Sequence, residues 1–284
     1  MVDEIGVSVI CNAYNHGGYI DETIRSILKQ KTEFSIELLI HDDASTDNTA
    51  DIIRGYECRF PDIVKPIYQT ENKYSQNIDI MQKYQYPRVR GKYIAFCEGD
   101  DYWNDPFKLQ KQYDAMERNE GVDICAHAAH VINNNEEHGI NDIEPGTEDA
   151  IFSLAEVIEG GGSFVATNSL FLRADMLRSH PELIKRCGLD YAIQIYGSVR
   201  GGMLYLADKM STYRYMVKGS WSDRVGRNLE YKKKQLKVVK DLLDQVDEYT
   251  DHRYRTEIDT VISRMKFNDL IEAGEYRRAR REQR

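Results

Sequence analysis

Three carboxylates stand within four residues at Glu98-Gly99-Asp100-Asp101, directly after the apolar run Tyr93-Ile94-Ala95-Phe96-Cys97. A buried strand ending in such a cluster presents hard oxygen atoms, a donor set suited to Mg2+ or Mn2+ that keeps some of its waters and binds phosphate oxygens. The same residues also suit a turn whose carboxylates cap the following helix. Asp42-Asp43 closes a second apolar run, Glu37 to His41, where a carboxylate can accept hydrogens from a nucleobase. Asp47 and Asn48, a few residues on, read as local turn formers. Asn12 and Tyr14 follow Val7-Ser8-Val9-Ile10-Cys11. They can contact base and ribose, or form a polar loop with a half-buried tyrosine.

These clusters need elements that hold them at one edge. Val7 to Cys11 stops at polar Asn12, Tyr14, Asn15 and His16, as a buried parallel strand does where it enters a loop. Ile20, Ile24, Ile27 and Leu28 recur at helical spacing behind Asp21 and Glu22, whose charge suits a helix N-terminus. Further strands are expected at 37–41, 64–68 and 93–97, with helices from Thr49 and over 77–84. This alternation predicts an α/β fold, a Rossmann-like, mostly parallel, doubly wound sheet with its ligand beyond the carboxyl ends of the strands.

The pattern then loosens. A strand is expected at 122–131, a polar loop at 133–146, a short helix at 151–158, and a strand at 163–172 after Gly160-Gly161-Gly162. Leu204-Tyr205-Leu206 gives another strand. From Asn228 the chain turns to charged helices, with stripes at Leu236, Val239, Leu242, Val246 and at Ile258, Val261, Ile262, Met265. The reading is one main domain, 1–225, divided into a nucleotide-binding half (1–112) and an acceptor-binding half (113–225), with a C-terminal helical appendage at 226–284.

Composition bounds the partners. The chain has 284 residues, 41% of them hydrophobic, enough for a substantial core. A net charge of -9 argues against nucleic acid, whose binders carry a basic footprint. No stretch reaches the roughly 20 apolar residues needed to cross a bilayer, and the N-terminus reads as the start of a core strand rather than a signal peptide. Cys11, Cys58, Cys97, Cys125 and Cys187 form no CxxC pair, so reduced thiols in cytoplasm are expected. His127, His130 and His138 show no metal-ligand pattern.

The ordered motifs resemble those of the inverting glycosyltransferases of family 2, which have the GT-A fold. VSVICNAYNHGGYIDETIRSILKQ resembles the family's first strand, nucleotide loop and helix; ELLIHDDASTDNTADII resembles its double-aspartate loop; GKYIAFCEGDDYWNDPFKLQKQ resembles its metal-binding strand end. These segments span residues 7 to about 112, and looser similarity extends to about 222. The resemblance implies a metal-assisted sugar transferase acting in polysaccharide or glycoconjugate assembly, with a nucleotide-sugar donor, UDP-linked foremost, and a glycan or lipid-linked glycan acceptor.

Residue by residue, it implies that Asn12, Tyr14, Asp42 and Asp43 border the base, that Asp100 contacts ribose or metal, and that Asp101 is the principal metal ligand. Glu98 stands where relatives often have Asp, and Ala13 where they often have Pro. Inversion needs a base opposite the leaving diphosphate. Asp190, in Cys187-Gly188-Leu189-Asp190-Tyr191, fits the late acidic motif, and it also fits an N-cap for the helix 191–196. Trp103, Asn168, Ser169, Arg214 and Trp221 are further donor or acceptor contacts on the same analogy. For each a structural reading stands beside it: sheet packing for Thr167-Asn168-Ser169, an ion pair for Arg214, a loop anchor for Trp221.

Met216 occupies the histidine position of the family's tyrosine-arginine-any-histidine segment, and a thioether is a poor ligand for Mg2+ or Mn2+. Arg277, Arg278, Arg280, Arg281 and Arg284, with Lys232-Lys233-Lys234, suggest peripheral contact with anionic lipid at the inner face of the cell membrane; a frayed, solvated end has the same composition. Three other functions stand beside this one. A sugar nucleotidyltransferase would carry a basic, glycine-rich phosphate loop, and 12–18 has no basic residue. A degenerate module that binds nucleotide sugar without turnover would fit the loss of histidine at Met216. A dehydrogenase lacks its GxGxxG after the first strand.

Overall fold

The computed structural model describes residues 4–133, 141–179, 190–272 and 274–276. In chain order the strands are β1 Ile5–Ala13, β2 Ser35–Asp42, β3 Val64–Tyr68, β4 Tyr93–Phe96, β5 Tyr102–Trp103, β6 Ile124–Asn133, β7 Ala150–Phe152, β8 Phe171–Arg173 and β9 Met203–Tyr215. The helices are α1 Ile20–Leu28, α2 Thr49–Arg59, α3 Lys108–Arg118, α4 Leu154–Gly160, α5 Ala174–Ser179, α6 Asp190–Ser198, α7 Trp221–Arg227, α8 Leu229–Tyr249 and α9 Arg255–Glu272.

The strands join in one sheet of order β3-β2-β1-β4-β8-β6-β9-β5, with β7 on β9. The first four pair in parallel, so the first half follows the pattern of its continuous apolar runs. Beyond β4 the sheet is mixed: β8 runs antiparallel to β4 and β6, while β6 and β9 are parallel.

Alternation along β1 sends Val7, Val9 and Cys11 to a layer with Ile20, Ile24, Ile27 and Leu109, and Ile10 to the opposite layer with Val157, Ile158, Tyr191 and Ile195. Leu242, Leu243 and Val246 of α8 and Ile258 and Val261 of α9 are buried in that second layer. The C-terminal stripes therefore cover the main sheet. Helix α4 starts with a reciprocal cap, Ser153 accepting from the Glu156 amide while Glu156 accepts from the Ser153 amide.

Three expected elements differ. Residues 77–84, read as a helix, instead form a π-type turn, Met81–Gln85, followed by a 3-10 turn, Tyr86–Arg88. Gln85 is buried there and its amide donates to the Cys11 and Leu39 carbonyls and to Asn12 Oδ1, so contacts with β1 and β2 dictate its conformation. The expected strand 163–172 contains a 3-10 turn, Thr167–Ser169, and only Phe171–Arg173 pairs as β8. The expected helix 151–158 begins later, after β7. His138, Cys187 to Leu189 and the arginines of 277–284 lie outside the described residues.

Lys108 is fully buried at the start of α3, its Nζ donating to Gln112 Oε1 at 2.7 Å and sitting 4.1 Å from the centroid of the Trp103 ring. Burial pushes its pKa from 10.5 down to about 7. The unfolded chain thus holds this proton up to about pH 10.5 and the folded chain releases it near 7, so this residue makes stability rise with pH across that window, by about 1.4 kcal/mol per unit at most. Comparing urea unfolding of the native chain and Lys108→Met at pH 7, 8 and 9 isolates the effect. The methionine variant gains most, relative to the native chain, at pH 7 and loses that advantage toward pH 9. A gap independent of pH would sink the assignment.

Candidate active site

β1, β2 and β4 end side by side, and their loops bring the first motifs together. Asn12 Nδ2 lies 3.5 Å from Glu98 Oε1 and 3.3 Å from Met81 Sδ, while its Oδ1 accepts from Gln85 Nε2 at 3.1 Å. Tyr14 is 43% exposed beside it in sequence. Gly99 has no room for a side chain, because a Cβ would stand 2.7 Å from His16 Nδ1 and 3.1 Å from Ala13 Cβ. Its backbone is therefore packed against the β1 loop.

The two aspartates of the double pair in the second loop do different things. Asp43 accepts from the amides of Lys73 at 2.7 Å and Tyr74 at 3.0 Å, fixing the 3-10 turn Tyr74–Gln76 over the ends of β2 and β3. Asp42 is buried, accepts from the Ser45 amide at 3.3 Å with Oδ2, and leaves Oδ1 without a partner. Its burial pushes its pKa up, against the Ser45 hydrogen bonds. Of the two, the carboxylate oxygen without a hydrogen bond among the described residues is thus on Asp42.

Asp100 and Asp101 divide in the same way. Asp101, 2% exposed, accepts from the Arg214 amide at 2.9 Å with Oδ1 and from Asn168 Nδ2 at 3.0 Å with Oδ2. Burial, and then the neighbouring Asp100 charge, push its carboxyl well up. Asp100 has no such pair of protein donors; its Oδ2 is 3.9 Å from His16 Nε2, beyond hydrogen-bond reach. Glu98 is pushed up to about 8 by burial and then by Asp100, with a smaller contribution from Asp190.

Among the described residues no three His, Cys, Asp or Glu side chains form a ready-made metal cage. A hard cation held by one or two carboxylates, its shell completed by phosphate oxygens and water, needs none. Asp100 and Glu98 fit such an ion, and the unpartnered His16 Nδ1 beside them marks an incompletely satisfied polar corner.

Asp190 opens α6. Thr167 Oγ1 donates to its Oδ2 and the Tyr191 amide donates to its Oδ1 at 2.8 Å. Burial raises its pKa while these hydrogen bonds lower it. Burial pushes the Tyr213 pKa up first, and the charges of Asp101, Asp100 and Asp190 add to that. The acidic motif and the carboxylate of α6 meet through one turn, Thr167 donating to Asp190 and Asn168 to Asp101, although they are far apart in the chain.

Four of the expected contacts are scaffold. Arg214 is 4% exposed; its guanidinium donates to the Asp100 carbonyl at 2.6 Å, pairs with Glu22, and lies over the rings of Tyr102 and Tyr19. These contacts are those of the ion-pair reading. Trp103 is buried and donates from Nε1 to the Asn168 carbonyl. Asn168 is fully buried, gives both amide hydrogens to Asp101 and the Thr212 carbonyl, and accepts from Ser211. Ser169 donates to the Ala166 carbonyl and is buried. Their polar atoms were visible in sequence, but their pairing with β9 was not. Trp221, 48% exposed at the start of α7, remains accessible. Met216 adopts a left-handed φ of 60° and its terminal methyl packs toward Gly226, filling the corner between β9 and α7.

The sequence places Thr167 with Asn168 and Ser169 in one candidate segment, and gives His16 and Tyr213 no role of their own. His16 stood in the polar loop already singled out, and its closeness to Asp100 depends on the tight packing at Gly99.

Comparison with known proteins gives concordant matches. The description Glycosyl transferase family 2 matches residues 8–176. The uncharacterized protein Rv1520 of Mycobacterium tuberculosis is 32% identical over 220 residues, 76% of this chain and 60% of that protein. The putative teichuronic acid biosynthesis glycosyltransferase TuaG of Bacillus subtilis is 36% identical over 110 residues, 39% of this chain and 41% of that one. The chain thus spans about 60% or less of the length of these curated relatives. Among solved structures, S. aureus TarS 1-349 in complex with UDP has a TM-score of 0.58 at 16% identity, over 95% of this chain and 92% of that one. The mannosyltransferase PcManGT from Pyrobaculum calidifontis, in complex with GDP-Man and Mn2+, has a TM-score of 0.58 at 12% identity, over 94% and 75%. At these identities the structures speak to the fold, which is of the GT-A type with C-terminal helices added.

Proposed function

The chain belongs to glycosyl transferase family 2, and on that footing we propose that it transfers a sugar from a nucleoside diphosphate donor to an acceptor hydroxyl with inversion. The observation that carries this reading is the juxtaposition of Asp190 with the acidic motif on the turn Thr167–Ser169, where Thr167 donates to Asp190 and Asn168 donates to Asp101. Asn12, Tyr14 and the free oxygen of Asp42 would receive the base. Asp100, with Glu98, would hold Mn2+ or Mg2+, and Asp101 would stand behind it. When bound, the ion neutralises charge that develops on the departing diphosphate.

In the transfer step, Asp190 takes the proton of the acceptor hydroxyl as its oxygen forms a bond to the anomeric carbon. The bond from that carbon to the diphosphate oxygen breaks on the opposite face, and its electron pair leaves with the diphosphate. One new bond and one broken bond on opposite faces give inversion. The protonated Asp190 returns its proton to solvent.

The donor is proposed to be a UDP-sugar, in keeping with the UDP complex of TarS, and the acceptor a glycan or lipid-linked glycan, in keeping with the teichuronic acid assignment of TuaG. No helix among the described residues is long and apolar enough to cross a membrane. Lys233 and Lys234 on the exposed side of α8 support a cytoplasmic enzyme that touches the inner face of the membrane peripherally.

The test is thermal unfolding with UDP, GDP, CMP or dTDP, each with and without Mn2+. Binding at a hundredfold excess over Kd adds about 2.7 kcal/mol of stability. A rise with UDP that requires Mn2+ is expected. A chain that no nucleotide stabilises, with or without metal, would not be this transferase.

A further inference from the structure

We propose that Thr167 is a positioning residue for the base: its hydroxyl fixes the plane of the Asp190 carboxylate, and the 3-10 turn Thr167–Ser169 acts as the rigid mount. This rests on the transferase reading above and assigns a part of the site that the motifs do not reveal.

The mount is held from several sides. Asn168 Nδ2 donates to Asp101 Oδ2 and to the Thr212 carbonyl, both at 3.0 Å, and Asn168 Oδ1 accepts from Ser211 Oγ at 2.6 Å. Trp103 Nε1 reaches the Asn168 carbonyl at 3.0 Å, and Gln112 Nε2 reaches the Ser169 carbonyl at 2.8 Å. The turn is thereby tied to β5, α3 and β9 at once. Val165, Ala166, Asn168, Ser169 and Leu170 are buried, whereas Thr167 and Asp190 are partly exposed. The one side chain that emerges from a buried turn is the one that meets the proposed base.

The geometry suits orientation. A carboxylate on a single side-chain bond rotates about χ2 unless both oxygens are held. Here the donors come from two different elements, Thr167 Oγ1 to Oδ2 and the Tyr191 amide to Oδ1. The Tyr191 side is firm, since that residue is buried and its hydroxyl donates to the Ile158 carbonyl at 2.6 Å. Each carboxylate oxygen keeps a second lone pair for an acceptor hydroxyl. Glu98, from the end of β4, and Tyr213, from β9, face the same carboxylate electrostatically and hold it by no hydrogen bond among the described contacts. The same turn also carries the donor to Asp101. It therefore spaces the base against the acidic motif, and misplacement of a reacting group by about 1 Å costs on the order of a hundredfold in rate.

The experiment measures nucleotide release from UDP-glucose, UDP-GlcNAc and GDP-mannose in Mn2+, with water as acceptor, for the native chain, Thr167→Val, Thr167→Ser and Asp190→Asn. Thr167→Val is expected to lower kcat by about ten- to a hundredfold at unchanged donor KM, with the Mn2+-dependent thermal shift by nucleotide intact. Thr167→Ser, which restores the hydroxyl, returns kcat to within a few fold of the native chain. Full activity of Thr167→Val while Asp190→Asn is inactive overturns the positioning role and leaves the base standing. Loss of kcat that serine does not restore, or loss of nucleotide binding, also overturns it. Full activity of Asp190→Asn, or no turnover of any donor by the native chain, instead overturns the reading on which it rests.

Discussion

Asp100→Asn is expected to abolish the Mn2+-dependent stabilisation by nucleotide and to lower donor turnover by about a thousandfold, with the melting temperature of the free protein nearly unchanged. The reason is the division of labour between neighbouring aspartates. Among the described residues no N–H donor reaches the Asp100 carboxylate, which lies beside His16, so exchanging it removes charge from the proposed ion and takes little from the fold. Loss of one group that stabilises developing charge costs about 10²–10³-fold in rate, and loss of the ion's principal anchor sits at the upper end of that range.

Asp101→Ala is the contrast. It strips the acceptor from the Arg214 amide and from one Asn168 hydrogen, both buried. An unpaired buried donor costs about 1–3 kcal/mol, and relief of repulsion with Asp100 returns part of that, so a drop of several degrees in the melting temperature without ligand is expected. Thermal scans of both variants, with and without UDP and Mn2+, separate the two effects. If Asp100→Asn kept its nucleotide response and Asp101→Ala lost it at native stability, the two roles would have to be exchanged.

The second large effect is at Asp190. Asp190→Asn is expected to reduce transfer by about 10²–10⁴-fold, the span of general base catalysis, while leaving UDP and Mn2+ binding as they were. The amide is a fair isostere here. Its oxygen can still accept from the Tyr191 amide, and its NH2 can donate to Thr167 Oγ1, whose lone pairs are otherwise free. The fold and the donor side are thus preserved and proton acceptance alone is lost. Steady-state nucleotide release beside a nucleotide titration by thermal shift reads both quantities; a parallel loss of affinity would mean that Asp190 serves the donor instead.

Much of the first half was legible because β1 and β4, buried on both faces, are written as nearly unbroken apolar runs that stop at polar loops. They lie where Val7 to Cys11 and Tyr93 to Cys97 announce them, and the half-buried edge strand β3 lies at Val64 to Tyr68. Past β4 the signal fails for physical reasons. The turn at Thr167–Ser169 sits inside an apolar stretch that local pattern assigns to a strand, and only its hydrogen bonds to Trp103, Gln112 and β9 make it a turn. Gln85 likewise looks like an ordinary helix residue until its amide meets the carbonyls of Cys11 and Leu39. Charged side chains were equally ambiguous. Arg214 has the composition of a phosphate ligand, and the position of Glu22 decides otherwise.

The pairing of Asp101 with the Arg214 amide joins positions 113 residues apart, and it imposes an order of assembly on a chain made from its N-terminus. β1 to β4 close on one another through contacts within the first hundred residues, so this half can condense while the ribosome is still adding the rest. Among the described residues β5 pairs with β9 alone. Until residue 168 has emerged the acidic motif has neither the Asn168 side chain nor its backing amide, and until residue 214 it still lacks that amide. In a nascent chain the strands β1 to β4 can therefore pair before the acidic motif gains its long-range partners, whose closure over 113 residues carries the larger loop entropy.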